Sequence, residues 1–354
     1  MLTATHTHTT RTQTRSSYVD TLRAVAIARV YLHHTLWIGW MTMLFPSMPI
    51  MFALAGFLAA SSLDRAGAAH TVWSRVRRLL PPLWGLAAVA VPVMLIQGWS
   101  GIKWSELLYW VVPLANPITN ETGGAFAMAL WYLRAYLWFI LLTPVLWWAF
   151  KRWPIATLTT PLAVSALLYS PLVNLPPMSE ASDVISSTAF YGTAWVLGFA
   201  RYTGLLDRVP WRVCGIIAGL FAVAGLAWGL MVVTPDQSPL VDPIAEQLWS
   251  IGFVLVLMRL RPRMEWMERF PRLRRVIAAL NARAVTIYIW HLPVLLGAGT
   301  IVGLFGLDPL HDVTGKAAAI ALGTVLLGLA VVGLGWIEDL AARRRPALLP
   351  LSGR

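Results

Sequence analysis

Charged side chains are scarce in this chain. Only 12% of its 354 residues are charged, whereas 58% are hydrophobic and the mean hydropathy is +0.65. This balance excludes an ordinary soluble domain and predicts an all-α polytopic membrane protein. The single cysteine, Cys214, excludes an intrachain disulfide and says nothing about the redox compartment.

Several motifs of other membrane enzymes and transporters do not occur in the sequence. It has no HExxH-type cluster and no DDxxD-like string, which excludes the common metal-dependent hydrolases and the prenyl-transferring enzymes that hold a metal diphosphate. It also has neither an internal repeat nor paired Gly/Pro-broken segments, which a secondary transporter usually shows. We therefore expect an enzyme that needs no metal.

Ten apolar runs are each long enough to cross about 30 Å of hydrocarbon. Two further stretches, from His70 and from Met264, have the spacing of amphipathic helices at the inner interface. The ten runs cover residues 20–43, 46–63, 81–98, 126–149, 154–171, 188–206, 213–234, 243–260, 286–305 and 316–337.

The cations alternate with these runs. If the N-terminus is cytoplasmic, the inner segments hold 23 of the 28 Lys and Arg residues, and the outer segments hold only Lys103 and Lys316. This positive-inside bias predicts that both termini are cytoplasmic. The net charge of +12 then reflects orientation in the bilayer, and we expect no nucleic-acid partner.

The ends of the chain are polar. Residues 1–17 are Thr-rich without an apolar core, which predicts a disordered cytoplasmic tail and not a signal peptide. We expect a ten-helix transmembrane domain over residues 18–342 and a second cytoplasmic tail over residues 343–354.

Arg23 and His34 are the most informative pair, because they lie eleven residues apart inside the first apolar run. On an α-helix this spacing puts both side chains on one face, roughly 16 Å apart along the axis. Burying an Arg at mid-bilayer costs at least ~2.5 kcal/mol, so an intramembrane Arg and His indicate a functional site. The alternative is an Arg that extends to the headgroups and a His that packs between helices.

A set of longer strings carries a resemblance to a known family. In their order and spacing they make the chain resemble the acyltransferase 3 family of integral membrane acyltransferases, in particular its actinobacterial branch. The strings are YVDTLRAVAIARVYLHH at 18–34, MFALAGFLAASSL at 51–63, WSRVRRLLPP at 73–82, ALWYLRAYLWFILLTPVL at 129–146, YGTAWVLGFA at 191–200 and TIYIWHLPVLL at 286–296.

The resemblance implies a multi-pass enzyme of the inner (plasma) membrane that transfers an acyl group, as in O-acetylation. The donor would be acetyl-CoA or a longer acyl-CoA, and the acceptor a hydroxyl of a sugar, glycan or natural product. By the family's motif, His34 is the catalytic base and Arg23 its partner, with Arg75 and Arg78 at the CoA-binding entrance. The spacing selects His34 over His33, which points about 80° away from the Arg23 face.

This assignment is chemically sensible. CoA carries its phosphates at one end and its thioester at the end of a long arm, so an enzyme must hold anionic charge at the aqueous edge while chemistry occurs deeper. Arg stays charged and binds phosphate in a bidentate manner. A neutral His deeper in the helix can take the proton of the acceptor hydroxyl. The carboxylate of Asp20, three residues before Arg23, is placed to orient that Arg.

Four further side chains have two interpretations each. Trp131, Tyr132 and Arg134 either line the acceptor pocket or fill a polar seam between helices. His291, two residues before Pro293, is either a second polar group of the cavity or a packing residue. The alternative function is a secondary transporter, or a lipid or metabolite translocator without acyl transfer.

Overall fold

A computed structural model of the chain describes residues 17–36, 40–100, 102, 104–170, 173, 179–234 and 237–348. The predicted N-terminal tail, apart from Ser17, and the last six residues of the predicted C-terminal tail lie outside these ranges. The disorder of both tails stays a prediction.

All regular secondary structure in the described ranges is helical, as the composition predicts. Short 3₁₀ turns at Leu205–Arg208, Pro239–Val241 and Glu265–Arg269 connect some of the helices. The α-helices are α1 (Ser17–Leu36), α2 (Met41–Leu44), α3 (Ser47–Ile96), α4 (Trp104–Val111), α5 (Glu121–Ala127), α6 (Leu130–Arg152), α7 (Pro154–Leu168), α8 (Glu180–Tyr202), α9 (Trp211–Val232), α10 (Pro243–Arg259), α11 (Pro271–Ala282), α12 (Ala284–Leu304) and α13 (Val313–Ala341).

Five helical segments of the described chain are long and apolar enough to cross a membrane. The chain is therefore an α-helical, multi-pass membrane protein. The other predicted runs are helical too, but α7 has only 15 residues, α10 only 17, and α1 and α8 each carry three charged side chains. The five segments are Met41–Ile96, Leu130–Arg152, Trp211–Val232, Ala284–Leu304 and Val313–Ala341.

Helix α3 contains two of the predicted runs and bends between them at Gly67. The φ of Gly67 is 76°, a left-handed conformation that glycine adopts because it has no Cβ. The helix then continues without interruption to Ile96, through Pro81 and Pro82. The stretch predicted as an amphipathic helix from His70 is therefore helical, and it is continuous with the third apolar run because the helix does not end at Pro81 and Pro82.

The second predicted amphipathic segment divides at its proline. Pro271 occupies the first turn of α11, a position where its missing N–H is not needed. The buried positions of α11 are Ile277 and Asn281, and the Asn281 Nδ2 donates to the backbone oxygen of Asp20 at 2.8 Å. Helix α11 thus lies against the beginning of α1 with its arginines exposed.

Two boundaries differ from the prediction. Helix α8 begins at Glu180, earlier than the predicted residue 188, because the Ser179 hydroxyl caps it by accepting from the Ser182 amide at 3.1 Å. The acidic residues of its first turn also favour a helix N-terminus. The predicted run from residue 126 is divided between α5 and α6.

Small residues allow α3 and α8 to cross closely. A methyl group on Gly56 would collide with the backbone of Trp195, and one on Gly198 with the backbone of Ala53 and Phe57. Close approach of two helices at small residues is the usual way in which membrane helices pack, because lipid leaves little hydrophobic force between them. The close contacts at these two glycines hold the first half of α3 against α8.

A buried ion pair joins α12 to α13. The Arg283 guanidinium donates to the Asp339 carboxylate at 2.7 Å, and the two side chains are 1% and 3% exposed. Arg283 also donates to the backbone oxygen of Ala347, and Arg344 lies 3.2 Å from Asp339. The residues that follow α13 are thereby held against the first turn of α12.

Candidate active site

Helix α1 is continuous from Ser17 to Leu36, so Arg23 and His34 lie on one helix as the spacing requires. Arg23 forms an ion pair with Asp20 at 3.6 Å, one turn earlier. The guanidinium is also within electrostatic range of Tyr132 on α6. Both Arg23 and His34 are half-buried.

His34 lies against a second histidine. Its ring centroid is 5.1 Å from that of His291 on α12, and 5.3 Å from that of its neighbour His33. His291 is 1% exposed. The structure therefore brings together two residues that are far apart in the sequence and that no sequence pattern relates.

The tautomer of His291 is set by the backbone. Its Nδ1 bonds to the carbonyl oxygen of Tyr288, one turn earlier on α12, and because a carbonyl only accepts, Nδ1 carries the proton. In the neutral ring, Nε2 then has a free lone pair. Among the described residues this buried nitrogen has no hydrogen-bond partner. It is available to accept a hydrogen bond from a hydroxyl group that enters beside His34.

A row of tyrosines leads away from this pair of histidines. The Tyr288 ring lies 5.5 Å from that of His291, and Tyr132 lies 4.9 Å from Tyr288. Tyr136, one turn further along α6, is 6.1 Å from Tyr132 and within electrostatic range of Arg78. The row thus connects the histidines with the cationic part of α3, through side chains that are partly apolar and partly polar.

The cations at the far end of this row form a cluster. Arg78 is within electrostatic range of Arg75, Arg77 and Arg344. Arg77 donates to the backbone oxygen of Ala341 at 3.4 Å, which ties α3 to the end of α13. Four like charges gathered in this way favour an anion, and guanidinium groups bind phosphate particularly well. The sequence alone does not indicate Arg344, because the position of this residue beside α3 depends on how α13 ends.

Arg134 is engaged elsewhere. Its side chain, 5% exposed, lies 3.2 Å from Asp183 and 3.6 Å from Glu180, both at the start of α8. Asn116 adds hydrogen bonds to the same two carboxylates, at 3.1 Å and 2.9 Å. These contacts correspond to the second interpretation of Arg134, a polar seam between helices.

Trp131 and Tyr132, although adjacent, face different partners. The Trp131 ring stacks on Tyr191 of α8 at 5.8 Å, with the planes 23° apart. Tyr132 packs on Phe52 of α3 at 5.0 Å as well as on Tyr288. Aromatic rings from four helices therefore pack together, and one of them, Tyr288, contacts His291.

Arg29 acquires partners that the sequence did not reveal. Its Nη2 donates to the Thr42 hydroxyl of α2 at 2.8 Å, and the guanidinium is within electrostatic range of His34 and of Glu246 on α10. Glu246 lies in the first turn of the eighth apolar run, and an acidic residue there is a functional candidate by the same argument that selected Arg23.

Metal ligands are not grouped in the described residues: no cluster of three or more His, Cys, Asp and Glu side chains there has the arrangement to hold an ion. The chemistry of the site is that of two imidazoles, several phenols and fixed cations. Such groups bind anions and move protons.

Comparison with known proteins identifies the family of the chain. The profile of the acyltransferase 3 family, described as an acyltransferase domain, matches residues 16–337, which include the candidate site from Arg23 to His291. Searches among curated proteins and among solved structures found no match. Because the family match covers most of the chain, the protein belongs to the acyltransferase 3 family and is a membrane acyltransferase.

Proposed function

We propose that the protein is an O-acyltransferase that moves an acyl group from acyl-CoA to a hydroxyl of a sugar, glycan or secondary metabolite. The observation that carries this proposal is the row of side chains from the Arg75 and Arg78 cluster to His34 and His291. A row of this kind suits a donor that is anionic at one end and reactive at the other.

The cationic cluster is the proposed docking site for the CoA phosphates. Arg75 and Arg78 take the role that the family resemblance implies, and Arg344 adds a third guanidinium from the end of α13. Bidentate contacts with phosphate oxygens offset the repulsion among the cations. The pantetheine arm then extends along Tyr136 and Tyr132 and brings the thioester to His34.

His34 is the proposed general base. Its neutral imidazole takes the proton of the acceptor hydroxyl while that oxygen attacks the thioester carbonyl. When the tetrahedral intermediate collapses, the C–S bond breaks and the imidazolium returns the proton to the CoA thiolate. Arg23, oriented by Asp20 about three turns before His34, is its proposed electrostatic partner on the same face of α1, and His291 lies against the His34 ring and fixes its position.

The proposed topology has ten spans, in the order α1, the two halves of α3, and α6, α7, α8, α9, α10, α12 and α13. Both termini are cytoplasmic by the positive-inside bias, and the CoA cluster then faces the cytoplasm, where acyl-CoA is made. The proposed location is the inner (plasma) membrane. A translocator without acyl transfer is the less favoured alternative, since the family is one of acyltransferases.

Release of CoA from acyl-CoA by the purified protein, followed with a thiol-reactive probe, tests the proposal. Cys214 is 1% exposed and contributes little background in folded protein. We expect release with acetyl-CoA or with a longer acyl-CoA, and its loss in Arg23→Ala and His34→Ala. Folded protein that neither binds nor consumes acyl-CoA would contradict the proposal and favour another donor or a translocator.

A further inference from the structure

The connection between α10 and α12 exposes apolar side chains on one of its faces. It includes the interfacial segment, residues 264–282, which consists mainly of the 3₁₀ turn Glu265–Arg269 and α11. The Trp266 and Phe270 rings lie 6.1 Å apart, and Leu273 and Val276 are neighbours one turn apart on α11. These four side chains are between 40% and 54% exposed, so the described part of the chain leaves this apolar face largely uncovered.

Arginines accompany the apolar face. Arg272 lies one turn before Val276 on α11 and therefore borders the face directly. All four arginines of the segment are exposed, and none of them forms an ion pair within the described part of the chain. They outnumber the two acidic residues, Glu265 and Glu268. The four are Arg269, Arg272, Arg274 and Arg275.

The position of the segment in the chain places it at the membrane surface. Only Arg283 separates α11 from α12, which is long and apolar enough to cross the membrane. Helix α11 therefore lies where that span meets water. By the positive-inside bias this is the cytoplasmic surface, where part of the phospholipid is anionic. At such a surface apolar side chains enter the boundary of the acyl chains, and neighbouring guanidinium groups reach phosphate.

The buried side of the same segment packs on α1. Met267 and Ile277 form an apolar cluster with Ala24 of α1. Asn281 donates from its Nδ2 to the backbone oxygen of Asp20 at 2.8 Å. The carboxylate of Asp20 belongs to the ion pair of the candidate site. The first turns of α1, which carry that ion pair, thus rest on the interfacial segment.

We propose that the interfacial segment binds the headgroups of anionic phospholipids, and that this binding holds the first turns of α1 in place. Neutral lipid offers the same apolar contact without the net negative charge, so the arginines favour the anionic headgroups. This inference goes beyond the proposed reaction, because it concerns neither the donor nor the acceptor and needs no acyl transfer for its test.

Hydrogen exchange of the full-length protein in lipid nanodiscs provides that test. One set of nanodiscs contains phosphatidylcholine alone, and the other contains equal parts of phosphatidylcholine and phosphatidylglycerol. We expect the amides of α11 to exchange more slowly in the mixture, by about fivefold for each arginine that reaches the headgroups. In about 1 M salt, which screens exposed charges, the difference should largely disappear.

A pair of arginine substitutions isolates the contribution of charge. Arg272→Gln combined with Arg275→Gln should remove about 25-fold of the protection in the mixture and leave exchange in phosphatidylcholine alone unchanged. Arg208→Gln combined with Arg212→Gln is the matched control, because it removes two exposed arginines from the connection between α8 and α9. The control should keep the protection of α11.

The amides of α1 test the second part of the inference. We expect residues 21–26 to exchange more slowly in the mixture as well. Asn281→Ala, which removes the hydrogen bond to the Asp20 oxygen, should abolish this effect in α1 while α11 keeps its own.

Two results would overturn the proposed binding of anionic lipid. They are equal exchange of α11 in both kinds of nanodisc, and an undiminished difference in the Arg272 and Arg275 double variant. Either would mean that the apolar face packs on lipid without regard to the headgroup. Slower exchange in α11 with no change in α1 would overturn the effect on α1. Exchange of α6 in the same samples shows that each variant is folded.

Discussion

Replacement of Asp339 by asparagine should destabilise the protein through the ion pair that joins α12 and α13. The Asp339 carboxylate lies 2.7 Å from Arg283 and 3.2 Å from Arg344, and it accepts from the Ala347 amide at 3.2 Å. Asn has the same size but no charge. Arg283, which is 1% exposed, would then be a buried cation without a counter-charge.

The size of the effect follows from the burial of Arg283. Breaking a buried ion pair by removing one partner costs about 3–5 kcal/mol, and because Asn still accepts a hydrogen bond we expect about 3 kcal/mol. At about 2–4 °C for each kcal/mol, this lowers the Tm by about 6–12 °C. Replacing both residues by apolar ones, as in Arg283→Met with Asp339→Leu, removes the stranded charge and should recover most of the loss.

The single cysteine provides the assay. Cys214 is 1% exposed in α9, so a dye that becomes fluorescent on reaction with a thiol reports unfolding of detergent-solubilised protein on heating. Glu268→Gln, which removes one exposed negative charge, is the control and should leave the Tm unchanged. A Tm of Asp339→Asn within about 1 °C of the wild type would refute the reasoning that Arg283 depends on this carboxylate.

Three further variants test the packing, the donor site and the histidine pair. Gly198→Leu should abolish the sharp size-exclusion peak, because α8 can no longer approach α3, whereas Gly215→Leu, with open space around it, should retain the peak. Arg344→Gln should raise the KM for acetyl-CoA roughly fivefold at constant kcat, in steady-state measurements. His291→Phe should lower kcat about tenfold or more at an unchanged Tm, and an unchanged kcat would limit His291 to packing.

Most of the helical architecture could be predicted from the sequence, because apolar runs of membrane length and the alternation of cations need no tertiary information. The boundaries were less accurate where a local signal was overlooked. Ser179 with the acidic residues after it marks the start of α8, whereas the continuity of α3 through Pro81 and Pro82 has no local signal in the sequence.

The site could be predicted only in part, since its residues come from different helices. Arg23 and His34 share one helix, so their spacing alone related them. The contact between His34 and His291 depends on how α12 packs on α1, and the approach of Arg344 to Arg78 depends on the end of α13. No periodicity within one segment contains such information.

Glu246 illustrates a signal that was present and not used. An acidic residue in an apolar run is a functional candidate, but its first-turn position also fits a favourable charge at a helix N-terminus. The packing of α10 on α2 and α8 places Arg29 and Tyr191 within electrostatic range of Glu246, which no pattern in the sequence indicates.

The rate of CoA release by His34→Ala, relative to the wild type, tests the central claim most directly. His33→Ala is the matched control, because it removes the same side chain from the adjacent position of α1. If His34 is the general base, its loss should lower the rate by about 10²-fold or more, while His33→Ala stays within about tenfold of the wild type. A folded His34→Ala protein that releases CoA at the wild-type rate would contradict the account.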